Sequence, residues 1–103
     1  MEIKEAQDMA GKIRDAFEKK LGKQFETGSQ ILTDLMEEVG ELAAAVGRIE
    51  IRKTESKHRI EEEPVDIFVD LLWLANHYGV DFEQEFGKML ERWKKRFGFD
   101  GLK

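Results

Sequence analysis

The sequence predicts an all-α protein, a single four-helix bundle-type domain spanning residues 1–103. Two observations carry that prediction. One proline and nine glycines leave few turns, which favours a few long helices over many short strands. Apolar residues also recur at spacings of three and four in four separate segments joined by short connections. With 41% hydrophobic residues the chain can bury a core, and 103 residues make one domain near the lower end of the usual range. A helical chain this short often completes its core on a second copy, so homo-oligomerisation is expected.

The first helix carries the stripe Ala6, Ala10, Ile13, Phe17 and Leu21, and Gly22 is its natural stop. Residues 22–28 read as a loop, with Thr27 or Ser29 as the next N-cap. The second helix begins near Ser29 and bears Leu35, Val39, Leu42, Val46 and Ile49 on one line. Arg48, Arg52 and Lys53 suit its negative pole. A polar connection over 54–59 follows. The third helix starts between Ile60 and Glu63, because Pro64 is tolerated only in a first turn. It runs to His77 or Tyr78 and ends at Gly79. Asp81 caps the fourth helix, whose stripe is Phe82, Phe86, Met89 or Leu90, Trp93 and Phe97.

Bulk chemistry narrows the function. A net charge of −5 with 38% charged residues argues against stable nucleic-acid binding. Without cysteine there is no disulfide, thiolate catalysis or cysteine-held metal. The start of the chain has no apolar signal region, and no apolar run approaches the ~18 residues of a membrane span. A cytoplasmic protein without membrane contact is expected.

The acids are patterned. At about 100° per residue, Glu38 and Glu41 sit as i, i+3 neighbours on one shoulder of the second helix's stripe. Asp34 and Ala45 share that side, and Glu37 points away to solvent. The third helix is apolar nearly all round, from Val65 through Ala75, which marks a buried element. Yet Glu63, Asp66 and Asp70 form an i, i+3, i+7 ridge along it, continued by Trp73 and His77. Buried carboxylates are costly unless paired or metal-bound. If the two helices pack together, two carboxylate pairs face one another, a set of hard oxygen ligands suited to Mg2+, with Mn2+ as a substitute. The plainer alternative is a solvated set of acids paired with lysines.

The segment Leu35-Met-Glu-Glu-Val-Gly-Glu-Leu-Ala-Ala-Ala-Val46 closely resembles the "EExGEL" segment of the MazG-like nucleoside triphosphate pyrophosphohydrolases. Glu63-Pro-Val-Asp66, followed by an apolar helix, is similar to the family's second signature, ExxD. The Gly79-Val-Asp81 turn and Lys94-Lys-Arg-Phe97 also look like its last helix. The resemblance implies an α-helical dimer or tetramer that hydrolyses a nucleoside triphosphate to the monophosphate and pyrophosphate. It also implies that Glu38, Glu41, Glu63 and Asp66 hold Mg2+. A triphosphate brings about four negative charges into an acidic site, so cations must bridge them. Either Glu38 or Glu41 is then the candidate to take a proton from the attacking water. Asp70 departs from the family pattern, standing where relatives usually carry an apolar or aromatic residue; it is a candidate extra metal ligand or a determinant of base or sugar preference.

Other candidates are less specific. Lys53, Lys57, His58 and Arg59 lead into the third helix and, with Arg96, are candidates to grip phosphates; a solvated charge run is the alternative. Trp73 and Asn76 lie near the acid ridge and are candidates to contact a base, although a tryptophan at helical spacing is commonly core. The leading function is Mg-dependent hydrolysis of standard or modified (d)NTPs, as in cleansing of the nucleotide pool. Two alternatives remain: a phosphoribosyl-ATP pyrophosphatase, or a non-catalytic helical interaction module.

Overall fold

The computed structural model describes residues 1–23, 26–52 and 59–98. Among them are four α-helices and no strand: α1 (Ile3–Leu21), α2 (Gly28–Gly47), α3 (Glu63–His77) and α4 (Phe82–Phe97). The all-α expectation holds, and local chemistry explains the boundaries. Thr27 is the N-cap of α2: its Oγ1 accepts from the Gln30 N–H at 3.1 Å, and Gln30 Oε1 accepts from the Thr27 N–H at 3.1 Å. That reciprocal capping box selects Thr27 over Ser29. Pro64 lies in the first turn of α3. Asp81 Oδ1 accepts from the Gln84 N–H at 3.0 Å to start α4. Gly22, Gly79 and Gly98, with φ of 81°, 66° and 66°, turn the chain at the ends of α1, α3 and α4. The end of α2 widens into a π-helical turn, Arg48–Arg52.

The architecture rests on α2 packed against α3, with α1 also packed against α3 and α4 touching α1. The core is small: Ala10 of α1, Ile31 of α2, and Leu72 and Trp73 of α3, with Ala6, Phe68, Val69, Leu74 and Phe82 around it. Two side-chain anchors hold α1 to α3. The Trp73 Nε1–H donates to the Ala10 carbonyl at 2.8 Å. Buried Gln7 donates from Nε2 to Asn76 Oδ1 at 2.9 Å and to the Val80 carbonyl at 2.7 Å, while its Oε1 accepts from the Phe82 N–H at 3.0 Å. One amide thus ties α1 to the turn between α3 and α4.

Two expectations about packing need correction. The α2 stripe does not all face the core, since Val39 is 43% exposed and Ile49 also stands out. The buried positions are Ile31, Leu35 and Ala45, so the packed face is turned toward the side that carries Asp34 and Glu38. α3 is likewise not covered all round, because Val65 and Leu71 are exposed. α4 buries none of its residues. The radius of gyration is 16.6 Å, against about 13 Å for a closed domain of this length. By itself the chain is an open arrangement with apolar faces still uncovered.

Candidate active site

The rotation of α2 brings its acids into the α2–α3 contact. Oxygens of Glu38, Glu41 and Glu63 lie within 4.8 Å of one another. Glu38 and Glu41 are half-buried and Glu63 is buried. Glu38 and Glu63 share a hydrogen bond across the two helices, and Oε2 of Glu38 is buried without a hydrogen-bond partner. Burial, the bond to Glu63, and the charges of Glu41, Glu63 and Asp66 together push the Glu38 carboxyl up to about 7.

Such a group is stabilised by a proton or by a cation. The donor set fits a hard divalent cation: carboxylate groups converging from two rigid helices, with Oε2 of Glu38 orphaned. Ala45, fully buried, lies one turn beyond Glu41 on the same side.

Asp66 stands outside the group of three. It is exposed, within electrostatic reach of Glu38, and lines a cavity with it. That cavity, about 490 Å³, is walled by Ile13, Phe17 and Leu21 of α1 and by Val69 and Trp73 of α3. Its acidic side consists of Asp34, Glu38, Asp66 and Asp70. Phe17 and Trp73 meet edge to face with ring centroids 6.3 Å apart. Trp73 is therefore a buried core residue whose ring also forms a cavity wall.

Asp70 is not in the group of three either. It is 2% exposed and hydrogen-bonded to Asp34 on α2. Burial, that bond, and the charges of Asp34, Glu38 and Asp66 push its carboxyl up to about 8. Asp34 is the site residue that the sequence reading passed over. Its signal was present, since it lies one turn before Glu38 on the same side of α2.

The remaining candidates lie elsewhere. Asn76 is held by Gln7 and does not line the acid cavity. Arg59 is exposed and pairs with Glu61 and, at 3.2 Å, with Glu62. Arg96 is exposed in the last turn of α4, its guanidinium 5.2 Å from the Phe97 ring centroid. Lys53, Lys57 and His58 lie outside the described residues.

The described residues thus form an all-α scaffold in which a carboxylate cluster suited to a cation lies beside a largely apolar cavity. Residues 26–97 match the model of the MazG nucleotide pyrophosphohydrolase domain, and the chain belongs to that family. No curated protein and no solved structure gives a significant match. No helix among the described residues is long and apolar enough to cross a membrane.

Proposed function

We propose that the protein is a Mg2+-dependent pyrophosphohydrolase that converts nucleoside triphosphates to monophosphate and pyrophosphate within the cytoplasmic nucleotide pool. The observation that carries the reading is the Glu38–Glu41–Glu63 cluster opening, through Glu38 and Asp66, onto an apolar cavity. Family membership supplies the reaction class. A divalent cation bound by this cluster neutralises the facing carboxylates and offsets the charge of the triphosphate.

The protein's own residues do the rest. α2 and α3 fix the carboxylates before substrate arrives, so little reorganisation is needed. Water attacks the α-phosphorus, the bond from that phosphorus to the bridging oxygen breaks, and pyrophosphate leaves. A carboxylate of the Glu38–Glu41 pair accepts the proton from the water. The apolar walls receive the nucleoside and exclude bulk water.

A second copy of the chain is part of this reading. Exposed Phe86, Trp93 and Phe97 on α4, together with the open packing, support a homodimer or homotetramer.

The test is pyrophosphate release from a panel of standard and damaged (d)NTPs, with phosphoribosyl-ATP included. Release should require Mg2+ or Mn2+ and be lost in Glu38→Gln and Asp66→Asn variants that keep their helical circular dichroism. Folded wild-type protein that releases no pyrophosphate from any of these compounds would sink the proposal and leave a non-catalytic module.

A further inference from the structure

Beside the cation-suited cluster lies a second carboxyl pair for which the proposed hydrolysis has no use. Asp34 precedes Glu38 by one turn on α2, and Asp70 follows Asp66 by one turn on α3. The Asp34–Asp70 pair therefore stands about 5–6 Å along the helices from the pair Glu38 and Asp66. Both aspartates line the same cavity. Asp70 is 2% exposed, and its Oδ2 has no hydrogen-bond partner.

Burying a polar oxygen without a partner costs about 1–3 kcal/mol. Here the orphaned oxygen belongs to a residue that lines the cavity, and no side chain among the described residues donates to it. The rest of the lining says what kind of ligand. Phe17, Val69 and Trp73 present apolar and aromatic surfaces to it, suited to a flat ring. Two carboxyl groups that share one hydrogen bond are rich in acceptors, with four oxygens and few protons. A flat ring that meets them must bring N–H donors.

We propose that Asp34 and Asp70 read the base, and that they select nucleotides whose base carries an exocyclic amino group over those with a carbonyl in its place. The inference rests on the reading of this site as a nucleotide hydrolase. The amino group of cytosine or adenine donates to the acceptor-rich pair. The carbonyl oxygen of uracil or hypoxanthine at the same position instead meets another oxygen. A site built to hydrogen-bond one such group rejects the analogue that lacks it far more strongly than an apolar pocket does.

Two matched pairs test this, CTP against UTP and ATP against ITP, each exchanging the amino group beside a bare ring nitrogen for a carbonyl beside a ring N–H. Wild-type kcat/KM should favour the amino member of each pair by about tenfold or more. Asp70→Asn keeps the shape but adds a donor, and should bring both ratios to within about threefold. If that variant does not fold, Asp34→Asn, at the half-buried member of the pair, carries the same expectation.

A readout without turnover is calorimetric binding of CMP and UMP, where wild type should prefer CMP and the variant should not. Hydrolysis of all four triphosphates with equal kcat/KM would overturn base selection while leaving the pyrophosphohydrolase reading intact. If nothing is hydrolysed, that reading fails, and the CMP to UMP binding ratio still decides the role of the pair: equal binding overturns it.

Discussion

Glu38 of α2 and Glu63 of α3 share a hydrogen bond between two carboxyl groups, and Glu38 holds its proton up to about pH 7. This bond joins the helix pair at the centre of the fold to the chemistry proposed for it. It also makes stability depend on pH in a definite direction. The Glu38 carboxyl rises from 4.5 to about 7 in the folded protein. Between those values the folded state binds more protons than the unfolded state, so the stability contributed by this group falls as pH rises. Cation-free wild type, compared with Glu38→Gln, should lose stability from pH 4.5 to about 7 and level off above. Urea unfolding midpoints across that range measure the difference. A wild-type curve parallel to that of the variant would refute the assignment to Glu38.

Cation binding should displace the same proton. Titration with Mg2+ or Mn2+ near pH 6 should release protons, seen as a dependence of the calorimetric heat on the ionisation enthalpy of the buffer. Affinity should rise as pH rises toward 7. Bound cation at a hundredfold excess over its Kd stabilises the fold by about 2.7 kcal/mol. Glu38→Gln should abolish that gain. A gain that persists in the variant would place the cation elsewhere.

The three clustered glutamates and Asp66 should separate in the substrate-free protein. Glu63→Gln removes a buried member of the cluster and should leave no measurable cation binding. Asp66→Asn changes an exposed acid outside the group of three and should weaken binding by roughly 10–100-fold. Manganese binding followed by electron paramagnetic resonance distinguishes the two. Equal losses would put Asp66 among the direct ligands.

How much of this was legible in the sequence follows from the range of each signal. Helix boundaries are written locally, in Thr27, Pro64, Gly79 and Asp81, and the structure uses those residues. The acid pairs were legible because i, i+3 spacing fixes a shared side whatever the helix packs against. The packed face of α2 was not legible. That helix carries two apolar surfaces, one with Ile31 and Ala45 and another with Val39 and Ile49, and only contact with α3 decides between them. The side of α2 that carries Asp34 was legible, but its pairing with Asp70 was not, since that partner lies on the other helix. Asn76 shows the converse: its place along the ridge suggested a base contact, but Gln7, 69 residues away, engages it.

Asn76 should accordingly matter for stability more than for substrate. Asn76→Ala removes the acceptor for Gln7 Nε2 and the donor to the Gln7 carbonyl. The expected cost is about 1–3 kcal/mol, read from denaturant midpoints. Base preference should stay within about twofold of wild type, because Asn76 does not line the acid cavity. A change in the CTP to UTP ratio with stability intact would return this residue to the base pocket.

The uncovered apolar surface of α4 leads to a prediction about assembly. Phe86, Trp93 and Phe97 lie on one side of a helix that buries none of its residues, with Trp93 46% exposed. Where α4 does pack, Phe82 meets Phe68 edge to face, ring centroids 6.2 Å apart, so it is anchored at its N-terminal end. Covering an aromatic side chain of this size contributes roughly 1.5–3 kcal/mol, and a row of three would stabilise a partner contact substantially. Wild type should therefore sediment as a homodimer or homotetramer. Trp93→Glu places a charge in the middle of the row and should shift the protein toward monomer, while the α2–α3 pair keeps its helicity. Sedimentation velocity over a range of protein concentrations, with circular dichroism alongside, measures both. Wild type that stays monomeric at every concentration, or a Trp93→Glu variant that assembles as wild type does, would remove α4 from the interface.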